Sequence, residues 1–201
     1  IWASLVDLGR LKKGERLLVH GGSSGIGLTA IQLAHHLGVE SFVTVGSEEK
    51  AAFCRASGAA HAINYRTQDF AAEVRRITDG TGVDVILDMV GAPYLQRNLA
   101  SLRRDGRLVY VAFLEGSKGE ADLMPVMLKR LTITGSTMRP RTLAEKAAIR
   151  DALLKNIWPE IAAGRLRPHI HATFPLAQAG EAHRLMESSR HIGKIVLEVK
   201  K

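Results

Sequence analysis

Leu17-Leu18-Val19-His20-Gly21-Gly22-Ser23-Ser24-Gly25-Ile26-Gly27 runs directly into Leu28-Thr29-Ala30-Ile31-Gln32-Leu33-Ala34. The stretch reads as an apolar strand, a glycine-rich turn and an amphipathic helix in immediate succession. Glycine serves such a turn in two ways. It reaches backbone angles closed to other residues, and it lets the main chain approach a ligand that a side chain would hold off. The helix that follows presents unpaired N–H groups and the positive end of its dipole, the arrangement that receives phosphate oxygens. Strand, loop and helix in this order make a dinucleotide fingerprint far more specific than a glycine pattern alone.

On either side of this stretch, apolar strand-like runs at 16–20, 41–45, 61–64, 83–88, 107–113, 131–137, 169–173 and 194–199 alternate with helical patterns. The helical patterns fall at 26–37, 48–57, 70–78, 94–102, 123–129, 142–163 and 176–188. Gly38, Gly58, Gly80, Gly91, Gly106 and Gly164 punctuate them as helix stops or turn residues. Nearly continuous apolar strands alternating with helices predict an α/β fold of Rossmann type, a doubly wound parallel sheet with helices on both faces. The ligand is then expected at the carboxyl ends of the strands. Residues 1–166 are expected to form this dinucleotide-binding domain. From Arg167 the character changes, with Pro168, His169, His171 and Pro175 interrupting the pattern. Residues 167–201 are expected to form a C-terminal segment in another sheet, returning toward an amino-terminal catalytic domain. The helical periodicity begins at Ile1-Trp2-Ala3 with neither a methionine nor a cap ahead of it, so the chain is expected to be part of something longer.

The glycine turn fits two patterns. As Gly-x-x-x-Gly-x-Gly it resembles short-chain dehydrogenases, which require a Tyr-x-x-x-Lys pair downstream. Tyr65, Tyr94 and Tyr110 are followed four residues on by Asp69, Asn98 and Leu114, so no such pair exists. Preceded by Gly9-Arg10-Leu11-Lys12-Lys13-Gly14-Glu15, the region instead resembles the medium-chain dehydrogenase/reductase superfamily. Within it the likeness is to zinc-free NADPH:quinone oxidoreductases of the zeta-crystallin type. Val45-Gly46-Ser47-Glu48-Glu49-Lys50, Gly58 to Arg66, Gly82 to Gly91 and His191-Ile192-Gly193-Lys194-Ile195-Val196-Leu197 extend the resemblance over essentially the whole chain. Two departures stand out: Ser24 replaces the middle glycine of the general fingerprint, and the family's amino-terminal part is missing.

Cofactor choice is decided where the second strand ends. Twenty residues past Gly27 stands Ser47, not the carboxylate that would accept hydrogen bonds from both ribose hydroxyls of NAD. Ser47 can donate to a 2′-phosphate, Lys50 can place a cation beside it, and Tyr65 and Arg66 can complete the pocket; the resemblance gives Ser47, Lys50 and Tyr65 the same role. Ser47 reads equally as a helix cap with Glu48 and Glu49 in the first turn behind it. NADP (NADPH) is the expected cofactor.

Gly22, Ser23, Ser24, Gly25, Ile26 and Gly27 are the expected pyrophosphate turn. Val90 and Gly91 end a strand beside the dinucleotide, and Ala112, Phe113 and Leu114 end the next. The resemblance implies that backbone groups of this last trio hold the nicotinamide amide, although Phe113 also reads as core. Ser136 and Thr137 end a further strand and read either as pocket or as turn residues; Arg190 and His191 depart from the asparagine of some relatives and are left unassigned. Asp88, ahead of a turn, is read as ordering it.

No catalytic acid or base is demanded, since the nicotinamide carries the chemistry. The implied reaction is hydride transfer from NADPH to a quinone or related conjugated carbonyl. An enoyl reductase and a nucleotide-binding module without catalysis are the alternatives, and the chain alone is expected to be inactive.

Composition narrows the remaining classes. The chain has 201 residues, 46% hydrophobic and 24% charged, the profile of an ordinary globular protein. No apolar run approaches a membrane span and no signal peptide opens the chain, so no membrane partner is expected. The formal net charge of +8 is dispersed rather than striped, which argues for a phosphorylated small molecule and against nucleic acid. The single cysteine, Cys54, excludes a disulfide framework and a cysteine-rich zinc site, and a reducing cytoplasm fits it. His169 and His171 would face the same side of a strand but lack a third ligand nearby in sequence, so no metal is expected. His35 and His36 are read as facing solvent and Cys54 as buried. Strand 131–137 is expected at a sheet edge, where relatives pair two copies, so a homodimer is expected.

Overall fold

The computed structural model describes residues 1–199. Six parallel strands form the main sheet: β1 (Arg16–His20), β2 (Glu40–Val45), β3 (His61–Asn64), β4 (Val83–Asp88), β5 (Leu102–Tyr110) and β6 (Thr132–Gly135). Their order across the sheet is β3-β2-β1-β4-β5-β6. The chain thus winds one way from β1 to β3 and the other way from β4 to β6. Such a reversal opens a crevice above the carboxyl ends of β1 and β4, where ligands bind in doubly wound sheets.

Strand alternation explains why both faces are covered. Leu17, Val19, Val43, Val45, Val85 and Leu87 belong to one apolar cluster, with Leu28, Ile31 and Ala34 of helix α1 (Gly25–Leu37) and Ala51 and Cys54 of α2 (Glu48–Ala56). Leu18, Phe42 and Ile86, one position out of phase, belong to the other cluster. There they join Phe70 and Val74 of α3 (Phe70–Ile77) and Leu99 of α4 (Leu95–Ser101). Period-two alternation therefore feeds two cores from the same strands.

The remaining elements are α5 (Met124–Leu128), α6 (Leu143–Asn156), α7 (Trp158–Ala162), β7 (Ile170–Pro175), α8 (Ala179–Glu187) and β8 (Lys194–Glu198). β7 and β8 form a separate two-stranded parallel sheet, as the change of character after Arg167 predicts. This segment is also tied to the main domain, because the Gly193 amide donates to the Ser23 carbonyl at 2.8 Å. Among the described residues no helix is long and apolar enough to cross a membrane.

Four expectations need correction. The helical pattern at the amino terminus is a π-helical turn, Ala3–Leu8. The single helix expected over 142–163 is two, α6 and α7, broken at Ile157 because Pro159 can start a helix but cannot continue one. The fifth strand begins at Leu102 rather than 107 and ends at Tyr110 rather than 113. Its pairing with β4 shifts register between Val83 and Val85, and Gly106, read as punctuation, lies inside it beside Asp105 at φ +61°. His169 and His171 are not a matched pair on one strand face: His169 precedes β7 and stacks on Phe53 at 4.6 Å. His171 falls at a register shift in β7, where its Nδ1 accepts from the Ile192 amide.

Candidate functional site

The crevice holds a cleft of about 350 Å³. The glycine turn (Gly21, Ser23, Ser24), the end of β2 (Thr44, Val45, Gly46), the turn after β4 (Met89, Val90) and the segment before β8 (Ser189, His191) supply its walls. Local chemistry shapes the turn. Ser24 Oγ accepts from the Gly27 amide at 3.0 Å and caps α1. The first-turn donors of Gly25 and Ile26 have no partner within the helix, which is the usual anion-binding end of a helix. A side chain at Gly27 would strike the carbonyl oxygens of Gly21 and Gly22, so helix and turn close up only around glycine. Gly22 is buried, and its amide is committed to the Thr44 carbonyl at 2.9 Å.

A second pocket of about 370 Å³ adjoins the first and shares Gly46, Lys50, Tyr65 and Ser189 with it. Ser47 and Arg66 complete one side, Ser188 and Arg190 the other. Among the described residues, its lining sets three cationic groups (Lys50, Arg66 and Arg190) against one carboxylate, Glu49. The Lys50 ammonium has its pKa lowered, chiefly by desolvation and then by the charge of Arg66, with Glu49 opposing. A crowded, partly desolvated ammonium of this kind gains from a bound anion. Ser47 caps α2 by accepting from the Lys50 amide at 3.3 Å, so the cap reading holds while the residue also lines the pocket. Glu48, the other first-turn carboxylate, is occupied by Asn64 at 3.1 Å.

Of the residues singled out from sequence, Ser23, Ser24, Lys50, Tyr65, Val90 and Leu114 line the first cleft and Ser47 the second pocket. Ile26 lines a third cavity of about 290 Å³ with Val111, Ser136, Thr137 and Met138. Gly22, Gly25, Gly27, Gly91, Ala112 and Phe113 are not among these walls. Gly91, at φ +108°, turns the chain where a Cβ would strike the Gly116 carbonyl. Phe113 is neither core nor cleft wall: it is half exposed and stacks on Tyr110 at 4.9 Å. Asp88 orders its turn as expected, accepting from the amides of Val90 at 2.5 Å and Gly91 at 3.2 Å.

Sequence reasoning missed Met89, Tyr94, Glu115 and Ser189 as cleft walls. His191, left unassigned, lines the cleft with a buried Nδ1 that has no hydrogen-bond partner among the described residues. Burial, the nearby Lys50 and His171 together lower its pKa, with a backbone hydrogen bond opposing. The cationic pocket and the Ser23–Ser24 turn beside it fit a phosphorylated dinucleotide.

A family described as zinc-binding dehydrogenase matches residues 57–197. The 2-haloacrylate reductase of a Burkholderia species is 37% identical over 94% of this chain and 56% of its own length. A phenolphthiocerol/phthiocerol polyketide synthase polypeptide of Mycobacterium tuberculosis is 32% identical over 98% of this chain and 9% of its own length. Among solved structures, an NAD-dependent alcohol dehydrogenase superposes with a TM-score of 0.86 at 33% identity, covering 99% of this chain and 55% of its own. The Escherichia coli quinone oxidoreductase complexed with NADPH gives 0.85 at 28% identity, covering 98% of this chain and 61% of its own. The chain therefore spans little more than half the length of these single-enzyme relatives, and a small part of the polyketide synthase. The zinc of the family's description finds no match in the described residues. No three His, Cys, Asp or Glu stand together as ligands, and burial raises the Cys54 thiol to about 11, away from the thiolate a metal needs. By its fold, its glycine turn and its match over 57–197, the chain belongs to the zinc-binding dehydrogenase family, and what it shares with that family is the nucleotide-binding half of a medium-chain oxidoreductase.

Proposed function

We propose that this chain is the NADPH-binding part of an oxidoreductase that delivers hydride to a quinone or a related conjugated carbonyl. The observation that carries the reading is the continuous path from Ser23 and Ser24 of the glycine turn, along the first cleft, to the cationic pocket of Ser47, Lys50, Tyr65 and Arg66. In this reading the pyrophosphate rests on Ser23 and Ser24, while Gly22, Gly25, Ile26 and Gly27 shape the turn from behind. The 2′-phosphate lies among Ser47, Lys50 and Arg66, with Tyr65 along the adenosine. The nicotinamide half runs past Val90 toward Leu114, with Gly91, Ala112 and Phe113 supporting that end. Bound NADPH supplies the hydride; the chain's own groups bind, orient and keep water out.

The acceptor's other wall lies outside these residues in this reading, as the greater length of the relatives suggests. Residues 167–199 then stand between the nucleotide-binding domain and that wall. The 201-residue chain alone is expected to bind NADPH weakly and to reduce quinones far below the roughly ten per second of a median enzyme. A Lys50→Met variant tests the pocket. NADPH affinity should fall about tenfold or more, the loss of a charge-assisted contact, while NADH affinity stays put. Equal losses for both nucleotides would remove Lys50 from the phosphate site.

A second reading has specific support. The first relative is named for reduction of a haloacrylate, a conjugated acid, and others are polyketide synthases. The acceptor would then be an activated carbon–carbon double bond, as in an enoyl reductase. Assay of the longer protein on quinones and on enoyl thioesters separates the two, since the fold does not.

A further inference from the structure

Beneath the floor of the cleft lies a line of polar side chains that the binding reading does not use. His20, Asn98 and Asp88 are fully buried and Thr44 is nearly so. The Gly21 amide points to Thr44 Oγ1 at 3.4 Å, and Thr44 Oγ1 stands 3.0 Å from His20 Nδ1. His20 Nε2 stands 2.8 Å from Asn98 Oδ1, and Asn98 Nδ2 donates to Asp88 Oδ2 at 2.6 Å. The other carboxylate oxygen accepts the amides of Val90 and Gly91.

Donor and acceptor accounting fixes the direction of every link. An ionised carboxylate only accepts, so Asn98 must turn its NH₂ to Asp88 and its carbonyl to His20. His20 then carries its proton on Nε2, and its bare Nδ1 must accept from the Thr44 hydroxyl. That frees the hydroxyl oxygen to accept from Gly21. All donors face one way, from the glycine turn through β2, β1 and α4 to a buried anion, and hydrogen bonds aligned in this manner strengthen one another. The two ends of the line are Gly21 and Val90, and both are walls of the same cleft.

We infer that Thr44, His20, Asn98 and Asp88 form a directed relay that holds the glycine turn and the Val90–Gly91 turn in fixed register, with His20 and Asn98 as positioning residues for the dinucleotide. The ligand's identity rests on the NADPH reading; the relay itself does not. A dinucleotide spans both turns, so slack between them weakens binding without removing any group that touches it. The glycine turn keeps a second anchor, Gly22 on the Thr44 carbonyl, which explains how one residue on β2 can govern it.

The test compares His20→Leu, which removes both links, with His20→Gln, whose amide offers one donor and one acceptor. Amide exchange at Val90 and Gly91 is followed in the unliganded chain, and NADPH affinity is measured by titration. His20→Leu should exchange about tenfold faster at both amides, the worth of one net hydrogen bond, and bind NADPH about tenfold more weakly. His20→Gln should restore both within about threefold. Unchanged exchange in His20→Leu, or a folded His20→Gln as impaired as His20→Leu, overturns the relay. Nitrogen NMR of the wild-type chain decides the matter even where the leucine variant does not fold: the Nε2–H tautomer of His20 is required, and the Nδ1–H tautomer refutes it. Wild-type protein that fails to bind NADPH sinks the cofactor reading, while exchange and tautomer still judge the relay.

Discussion

His20 sits where a proton is unwelcome. Burial, the largest influence, lowers its pKa from the usual 6.5; Asp88 and the Asn98 hydrogen bond push it up, and Arg97 pushes it down again. The unfolded chain therefore binds a proton at His20 at a pH where the folded chain does not. The resulting stability is fully present above pH 6.5 and is lost as pH falls from there through the folded pKa. Thermal denaturation should show a falling midpoint on acidification from about pH 7, and His20→Gln should flatten that fall. An identical slope in the variant would show that other groups cause it. Cys54 gives a second prediction at this scale. Its thiol is buried and pushed up to about 11, so it should react with thiol reagents at about pH 8 far more slowly in the folded chain than after denaturation. Equal rates would contradict its burial. Ser47 and Asp88 were legible from sequence because their partners lie two or three residues away. His20 was not: its partners are 24 and 78 positions distant, and only the sheet brings them to one floor.

At the scale of elements, the strands were legible wherever a nearly continuous apolar run stands between helical patterns. In β4, the apolar run is buried throughout, with Val85 and Leu87 in one core and Val83 and Ile86 in the other. Ile86→Ala should therefore cost about 2–5 kcal/mol of unfolding free energy in a denaturant titration, the usual range for a buried large-to-small change. A loss below about 1 kcal/mol would mean that the second core is slack there. The start of β5 was illegible because Arg103, Arg104 and Asp105 look like a solvent loop. Arg103 instead reaches the buried Asp84 at 2.8 Å, while residues 103–106 bulge between the pairs Val83–Leu102 and Val85–Arg107. The break between α6 and α7 was written in Pro159, whose effect a continuous helical periodicity concealed.

At the scale of the whole molecule, the strand order reversing between β1 and β4 places the glycine turn and the β4 turn on either side of one crevice. Order along the chain suggested this crevice; the walls contributed by Ser189 and His191 came from the far end of the sequence and could be seen only in three dimensions. β6 is the outer strand of the sheet, and Ile133 on it is exposed. We propose that a second copy pairs with this edge. Sedimentation should then show a dimer that dissociates on dilution, and a monomer at every concentration would refute it.

We propose that the crevice and its cationic side pocket receive a dinucleotide carrying a 2′-phosphate. Titration of the chain with NADPH and NADH side by side, followed by nicotinamide fluorescence, tests it most directly. Both should bind saturably, NADPH the more tightly. Binding of neither, or a preference for NADH, would contradict it.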